Sequence, residues 1–234
     1  MMRTRVTDKK LALFRGRCEV MLCGMYMEFD VVSLIYGWRI EEARKRLEKK
    51  LENEIYVTDL VYCPLKYYFQ KKFREIALAD SFNPVTIYGE AVHVGTEEIL
   101  KNILGSGNVK TEVEFEKTIE VEGKAFIVKG RVDAIIGDYV IEIKSSRSDT
   151  NIPQSHHILQ ARFYLWLTGL KKALLLYITP NRISQYLVTE PASDGEVSDF
   201  IRSLLAQSPA PRYSWECMYC LFSILCPNKK VSTV

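Results

Sequence analysis

The stretch from Gly130 to Ser146, GRVDAIIGDYVIEIKSS, constrains this chain more than any other. Two runs rich in β-branched and aromatic residues meet at Gly137-Asp138, a pair that permits the positive φ of a two-residue hairpin turn. Counting outward from that turn pairs Ile136 with Tyr139, Ile135 with Val140, Ala134 with Ile141, Asp133 with Glu142 and Arg131 with Lys144. Both acids then oppose each other on one face of a sheet, with Lys144 two residues along on the same face. Opposed carboxylates in a sheet of Ile and Val are costly unless protonated or joined by a cation. A hard divalent ion, Mg²⁺ or Mn²⁺, is the natural cation, because it takes oxygen ligands and leaves positions for water and phosphate. The bland alternative is a surface hairpin with solvated charges. A three-residue turn would shift the register by one and send the acids to opposite faces.

The flanking pattern places this hairpin inside a longer order of elements. Thr86 to Leu104 reads as a helix ended by Gly105 and Gly107. It carries His93, and a lone helical histidine is more often a satisfied core or surface residue than a ligand. Val109 to Val121 alternates, with Val109, Val113, Phe115, Ile119 and Val121 expected on one face. Glu122-Gly123 turns that strand back into Lys124 to Ile136, which makes a three-stranded antiparallel meander. Gln154 to Thr168 is a helix closed by Gly169, with Gln160 and Tyr164 four apart on one face. His156 and His157 are adjacent, so they diverge on a helix and stay unassigned. Lys172 to Thr179 is an apolar, covered strand stopped by Pro180, followed by an edge strand from Gln185 to Val188 and a helix from Ser193 to Ala206. The fold class is α/β, with a core in the order α-β-β-β-α-β and a mixed sheet.

Towards the amino end, residues 1–24 carry Arg3, Arg5, Lys9, Lys10, Arg15 and Arg17 against Asp8 and Glu19. They read as a flexible arm or as translated upstream sequence, with Met25 or Met27 as the true start; the second is preferred because periodicity is lacking. Cys18 and Cys23 are treated as incidental thiols. From Glu28 to Glu54, acids precede bases at helical spacing, as in Glu41 with Lys45 and Glu42 with Arg46, which is the mark of a solvated helix or helical hairpin arm. Thr58 or Asp59 caps a following helix whose regular part Pro64 delays. There Lys66, Tyr67, Lys71 and Lys72 interleave charge with aromatic rings. That mixture suits single-stranded nucleic acid and equally suits an amphipathic helix that buries its rings. The net charge of +3 neither demands nor excludes nucleic acid. The longest apolar run, Ala173 to Ile178, is strand-sized, so a soluble, cytoplasmic protein without membrane contact is expected.

The tail reads Cys217-x₂-Cys220-x₅-Cys226-Pro227. Three thiolates so spaced can meet at one metal and leave a tetrahedral site one ligand short. Cys63, also followed by proline, is the obvious fourth, and the four would clasp the ends of the domain together. Disulfides are the alternative, disfavoured in a chain with no secretory leader. Spacing does not decide between zinc and an iron–sulfur cluster.

Taken in order, a helix with His93, GRVDAI with Asp133, IEIKSS with Glu142 and Lys144, and LQARFY with Gln160 and Tyr164 resemble the RecB-type branch of the PD-(D/E)xK nucleases. One upstream cysteine and a carboxyl-terminal triplet further resemble the CRISPR-associated exonuclease family of that branch, the fourth of the Cas proteins. The resemblance runs from about Asp59 to Pro227. It implies a restriction-endonuclease-like core, with His93, Asp133, Glu142 and the main-chain carbonyl of Ile143 holding Mn²⁺ or Mg²⁺. Lys144 would orient the attacking water and stabilise the transition state, while Gln160 and Tyr164 would position DNA and the lysine. Cys63, Cys217, Cys220 and Cys226 would carry a [4Fe–4S] cluster.

The implied activity is exonuclease action on single-stranded DNA, 5′ to 3′, in the processing of new CRISPR spacers. The implied partners are single-stranded DNA, or DNA with single-stranded ends, and the CRISPR integrase subunits; a homo-oligomer is compatible with all of this. Alternatives are a non-catalytic subunit that binds DNA ends for the integrase, and a RecB-like repair nuclease with no CRISPR role. The chain then divides into the basic extension 1–24, a helical region 25–85 with Cys63, the nuclease core 86–207 and the cysteine-rich segment 208–234.

Overall fold

A computed structural model describes residues 29–49 and 51–230. The basic extension, the candidate starts Met25 and Met27, and Cys18 and Cys23 lie outside the described residues. The chain divides into two units, Met1–Gly37 and Trp38–Val234.

The charged amino-terminal run forms one helix, α1 (Val31–Lys49), and then a short strand, β1 (Glu54–Tyr56). The expected helix after Thr58 is two helices, α2 (Val57–Val61) and α3 (Pro64–Lys72), which part at Tyr62-Cys63. Pro64 ends the first because it offers no N–H, and it opens the second, where no N–H is needed. A short α4 (Arg74–Leu78) precedes α5 (Pro84–Leu104), whose N-cap Asn83 accepts the Val85 N–H at 3.0 Å. The meander follows as β2 (Val109–Val121), β3 (Lys124–Ile136) and β4 (Tyr139–Ser145). It leads into α6 (Ser155–Thr168), β5 (Lys172–Ile178), β6 (Ile183–Val188) and α7 (Asp194–Leu205), capped by Ser193. The expected α-β-β-β-α-β order is present, with β6 as an added edge. Among the described residues no helix is long and apolar enough to cross a membrane.

Six strands form one mixed sheet in the order β1-β3-β4-β5-β6, with β2 on the other edge of β3. β5 lies between β4, to which it is parallel, and the antiparallel β6, which accounts for its unbroken hydrophobicity. One face of the sheet packs Ala134, Ile141 and Ile143 with Val92 and Leu100 of α5. The other packs Val128, Val132, Val140 and Leu175 under α2, α6 and α7. Burying side chains of that size contributes about 1.5–3 kcal/mol each.

The hairpin register agrees with the sequence at Ile136–Tyr139, Ile135–Val140 and Ala134–Ile141, and there the ladder stops. The expected pairings of Asp133 with Glu142 and of Arg131 with Lys144 do not form. β3 shares that edge between two partners, β4 at residues 134–136 and the parallel β1 at residues 127–129, and Asp133 stands where the two part. Its carboxylate takes over the ladder's work, since Oδ2 accepts the Ile143 N–H at 2.7 Å. On the opposite edge the ladder with β2 also skips Asp133, and the facing Glu112 has φ +54°. A positive φ in a non-glycine strand residue is strained and reverses the alternation. Val113 and Phe115 accordingly pack on the α6 side while Val109 packs on the α5 side, rather than all three sharing a face.

Gly130 fixes how closely α6 approaches the sheet. A Cβ there would stand 2.7 Å from Leu167 Cδ2, 2.8 Å from Tyr164 Cε1 and 3.2 Å from Val57 Cγ2. Gly130→Ala should therefore destabilise by about 1–3 kcal/mol, read as a lower urea midpoint at unchanged slope, and should push Tyr164 aside. An unchanged midpoint would show that α6 can yield.

Candidate active site

The central acids are buried, with Asp133 8% and Glu142 3% exposed. Glu142 and Lys144 alternate on β4 and so share the face under α6, as the pattern predicts. Lys144 Nζ donates to Glu142 Oε1 at 2.7 Å and to Gln160 Oε1 at 2.9 Å. Gln160 Nε2 donates to the same Glu142 oxygen at 2.9 Å and to the Tyr164 hydroxyl at 3.1 Å. One turn of α6 thus locks the lysine and the glutamate, the arrangement expected of residues four apart. From α5, His93 Nδ1 comes to 3.3 Å from Asp133 Oδ1.

Electrostatics at this point are those of a site with one cation too few. Burial and then the Asp133 charge push Glu142 up to about 7, against the opposing pull of Lys144. Burial pulls Lys144 and His93 down, but the surrounding acids, Glu142 foremost for the lysine and Asp133 for the histidine, hold both above their usual values. Glu142 Oε2 is buried without a hydrogen-bond partner. Two carboxylates, one of them with a partnerless oxygen, and an imidazole are a donor set that fits Mg²⁺ or Mn²⁺. The side chains stand at hydrogen-bonding rather than coordinating separations, and among the described residues no three His, Cys, Asp or Glu form a ready metal cage. Ile143 presents its N–H to Asp133.

The four cysteines also come together. Cys63, Cys217, Cys220 and Cys226 line one cavity of about 290 Å³, with Leu65, Phe69 and Trp215. Glu216 fastens its two sides, accepting the Cys63 N–H at 2.7 Å and the Tyr213 N–H at 2.8 Å. Arg212 Nε donates to the Tyr62 carbonyl at 3.3 Å. Phe222 packs against Leu65 and Phe69. The thiols of Cys63 and Cys220 are pushed up by burial, and all four cysteines are free. Such a thiol-lined hollow suits a soft metal or an iron–sulfur group.

No family model matches the chain. Over 196 residues, 80% of this chain and 96% of the relative, it is 42% identical to the CRISPR-associated exonuclease Cas4 of Saccharolobus solfataricus. The chain belongs to the Cas4 family. The crystal structure of SSO0001 superposes with a TM-score of 0.81 at 40% identity, covering 86% of this chain and 98% of that one. The alkaline exonuclease LHK-Exo of Laribacter hongkongensis is far more distant, at 15% identity and a TM-score of 0.43 over 80% of this chain and 100% of that one.

Within this Cas4 chain, the residues expected to touch DNA fall in unequal places. Tyr67 packs partly on the core, with its hydroxyl 3.5 Å from the Glu54 carbonyl. Tyr68, 38% exposed, is the open ring. Lys71 caps the Glu52 carbonyl at 2.8 Å, Lys66 lines the cysteine cavity, and Lys72 lies 5.8 Å over the Tyr68 ring. Arg131, expected beside Lys144, instead meets Glu112 Oε2 at 2.7 Å, because β3 is paired with β2 there.

Sequence reasoning missed Glu97, buried on α5 one turn beyond His93; the spacing of four was the available signal. It also missed Tyr62, whose ring lies near Lys144 and lines the cysteine cavity.

The unassigned histidines do not diverge as expected, since their ring centroids lie 4.2 Å apart. His156 is boxed by Tyr62, Tyr213 and Trp215, with ring centroids at 5.8, 5.5 and 4.9 Å. Tyr177 accepts the Gln154 N–H at 3.0 Å, and its hydroxyl shares a hydrogen bond with His157 Nδ1 at 2.7 Å. Burial, with Lys144 adding to it, lowers His156 to about 4 and holds His157 lower still. A folded pKa below the unfolded 6.5 means that acid favours the unfolded chain. Stability is therefore complete above about pH 6.5 and falls as pH drops towards about 4. Thermal melts of wild type and His156→Gln across that window should converge as pH falls; parallel curves would refute the assignment.

Proposed function

We propose that this Cas4-family chain is a metal-dependent exonuclease that degrades single-stranded DNA and trims new spacer precursors for the CRISPR integrase. The observation that carries the reading is the buried, partnerless Glu142 Oε2, set beside Asp133 and His93 and under a lysine held protonated. His93, Asp133, Glu142 and the carbonyl of Ile143 would hold Mn²⁺ or Mg²⁺. When bound, such an ion polarises the scissile phosphate and lowers the pKa of the attacking water.

The chain's own residues supply the rest. Burial opposes the charge on Lys144, but Glu142, Tyr62 and Asp133 together hold its pKa above the ordinary value, so it presents a positive charge to the phosphate oxygens as negative charge builds on them. Gln160 holds the lysine at 2.9 Å and is itself held by the Tyr164 hydroxyl at 3.1 Å, so the ammonium does not reorganise during reaction. The Ile143 N–H anchors Asp133 in the ladder break, which sets the angle at which its other oxygen meets His93.

The cysteine cavity would hold a [4Fe–4S] cluster as a clasp between α2–α3 and the carboxyl-terminal segment. The reading is supported by four thiols lining one hollow, together with the family's membership. Tyr68 and Lys72, exposed beside that hollow, suit a single strand's base and phosphate. The test is cleavage of 5′- and 3′-labelled single- and double-stranded DNA with Mn²⁺. Loss of single-strand cutting on adding chelator is expected; metal-independent or absent cutting by cluster-loaded protein would overturn the reading.

A further inference from the structure

The carboxyl-terminal segment after α7 turns a group of large apolar side chains outwards. Trp215, Met218, Tyr219, Leu221, Ile224 and Leu225 are all exposed, Trp215 at 36% and Tyr219 at 74%. A single exposed apolar residue is ordinary, but so dense a group marks a binding surface. Its rings do not stop at the surface. Tyr219 lies 6.4 Å from Trp215, and Trp215 lies 4.9 Å from His156 and 6.3 Å from Tyr62, centroid to centroid. Tyr213 stacks parallel to Trp215 at 5.8 Å.

The inner end of this row reaches the candidate active site. His156 precedes Gln160 by four on α6, so the two side chains leave one face of the helix, and Gln160 holds Lys144 at 2.9 Å. Tyr62 lies 5.8 Å from the same histidine ring, and the charges of Lys144 and Glu142 both act on its hydroxyl. The row therefore runs from open solvent at Tyr219 to the lysine that meets the phosphate. Cations flank it. Lys66 lines the cysteine cavity together with Trp215 and Tyr219, and the Lys230 N–H reaches Cys217 Sγ at 3.4 Å. Glu216, the acid of this segment, is buried and accepts the Cys63 and Tyr213 N–H groups, so it does not face the strand's side of the rings.

We propose that Trp215 and Tyr219 are the stacking surface over which a single strand passes on its way to Lys144, with Lys66 and Lys230 neutralising its phosphates. The proposal rests on the single-strand reading above and gives the strand its route. Rings with lysines beside them match a nucleic-acid strand, in which every base offers a π-face and every phosphate a charge. A protein partner would meet the outward rings alone and has no use for a row that continues inwards past Trp215 to Tyr62. Nor do the rings serve only to shield the cysteine cavity, since most of Tyr219 faces solvent.

The experiment measures binding of a fluorescein-labelled thymidine oligonucleotide by anisotropy, using the full chain with its cysteine site loaded and chelator present so that no strand is cut. Tyr219→Leu and Trp215→Leu should each weaken binding by about ten-fold. Tyr219→Phe and Trp215→Phe should stay near wild type, because a ring stacks on a base and an aliphatic side chain does not. An oligonucleotide with abasic sites separates stacking from mere packing: base removal should weaken binding to wild type and cost Tyr219→Leu much less. Unchanged affinity of Tyr219→Leu, or an equal abasic penalty in both chains, would overturn the route, assign the patch to a protein partner and leave single-strand cleavage standing. Wild type that neither binds nor cuts single strands would overturn both readings. Should Trp215→Leu fail to fold or to hold its cluster, Tyr219→Leu decides alone, because so exposed a ring contributes little to stability.

Discussion

Glu142→Gln is expected to lose Mn²⁺-dependent DNA cleavage by about a thousand-fold or more while the protein still folds. The amide oxygen can occupy the Oε1 position and keep the bonds from Lys144 at 2.7 Å and Gln160 at 2.9 Å. The amide nitrogen then replaces Oε2, the atom with no partner, and offers a hydrogen where a cation needs a lone pair. Stability terms partly offset each other. The substitution removes the repulsion from Asp133 that helps hold Glu142 up to about 7, but it also leaves the Lys144 charge with Asp133 as its remaining acid. Losing one partner of a buried pair costs about 3–5 kcal/mol, which sets the ceiling on the net loss. Cleavage of end-labelled single strands and a urea melt on the same preparation check this. Cleavage within ten-fold of wild type would show that Glu142 is a structural acid and that the reaction lies elsewhere.

Cys63→Ser is expected to give the largest stability loss of any substitution considered, on the order of 5 kcal/mol, together with loss of visible colour. Colour separates the two chemistries: an iron–sulfur group absorbs visible light, whereas a d¹⁰ zinc ion is colourless. The damage should be local. Glu216 still bonds the residue 63 N–H, Arg212 still reaches the Tyr62 carbonyl, and Phe222 stays against Leu65 and Phe69, so the segment after residue 207 should loosen rather than the sheet. Limited proteolysis before and after substitution measures this directly. Wild type that is colourless and free of bound metal would sink the clasp, and equal protease resistance in the variant would sink its structural role.

Local chemistry made much of this molecule legible. The hairpin turn, the Glu122-Gly123 turn, both glycine-ended helices and the Gln160–Tyr164 pair depend on residues within a few positions of one another, and each is found where the pattern placed it. The shared face of Glu142 and Lys144 was readable for the same reason, because spacing along a strand or helix sets which side chains share a face.

What the sequence could not decide is the competition for β3. β1 has only three residues, too few for any periodicity, yet it takes the edge of β3 that β4 would otherwise have continued along. That competition opens the ladder at Asp133, frees its carboxylate to accept the Ile143 N–H and turns Arg131 away from Lys144 towards Glu112. The same break reverses the face of Val109. Sequence alone therefore picked out residues that the fold gathers, Glu142, Lys144, Gln160 and Tyr164 in one place and four cysteines in another. Tertiary pairing decided which of their oxygens are left without a partner, because backbone donors go to whichever strand reaches them and only the assembled sheet settles that.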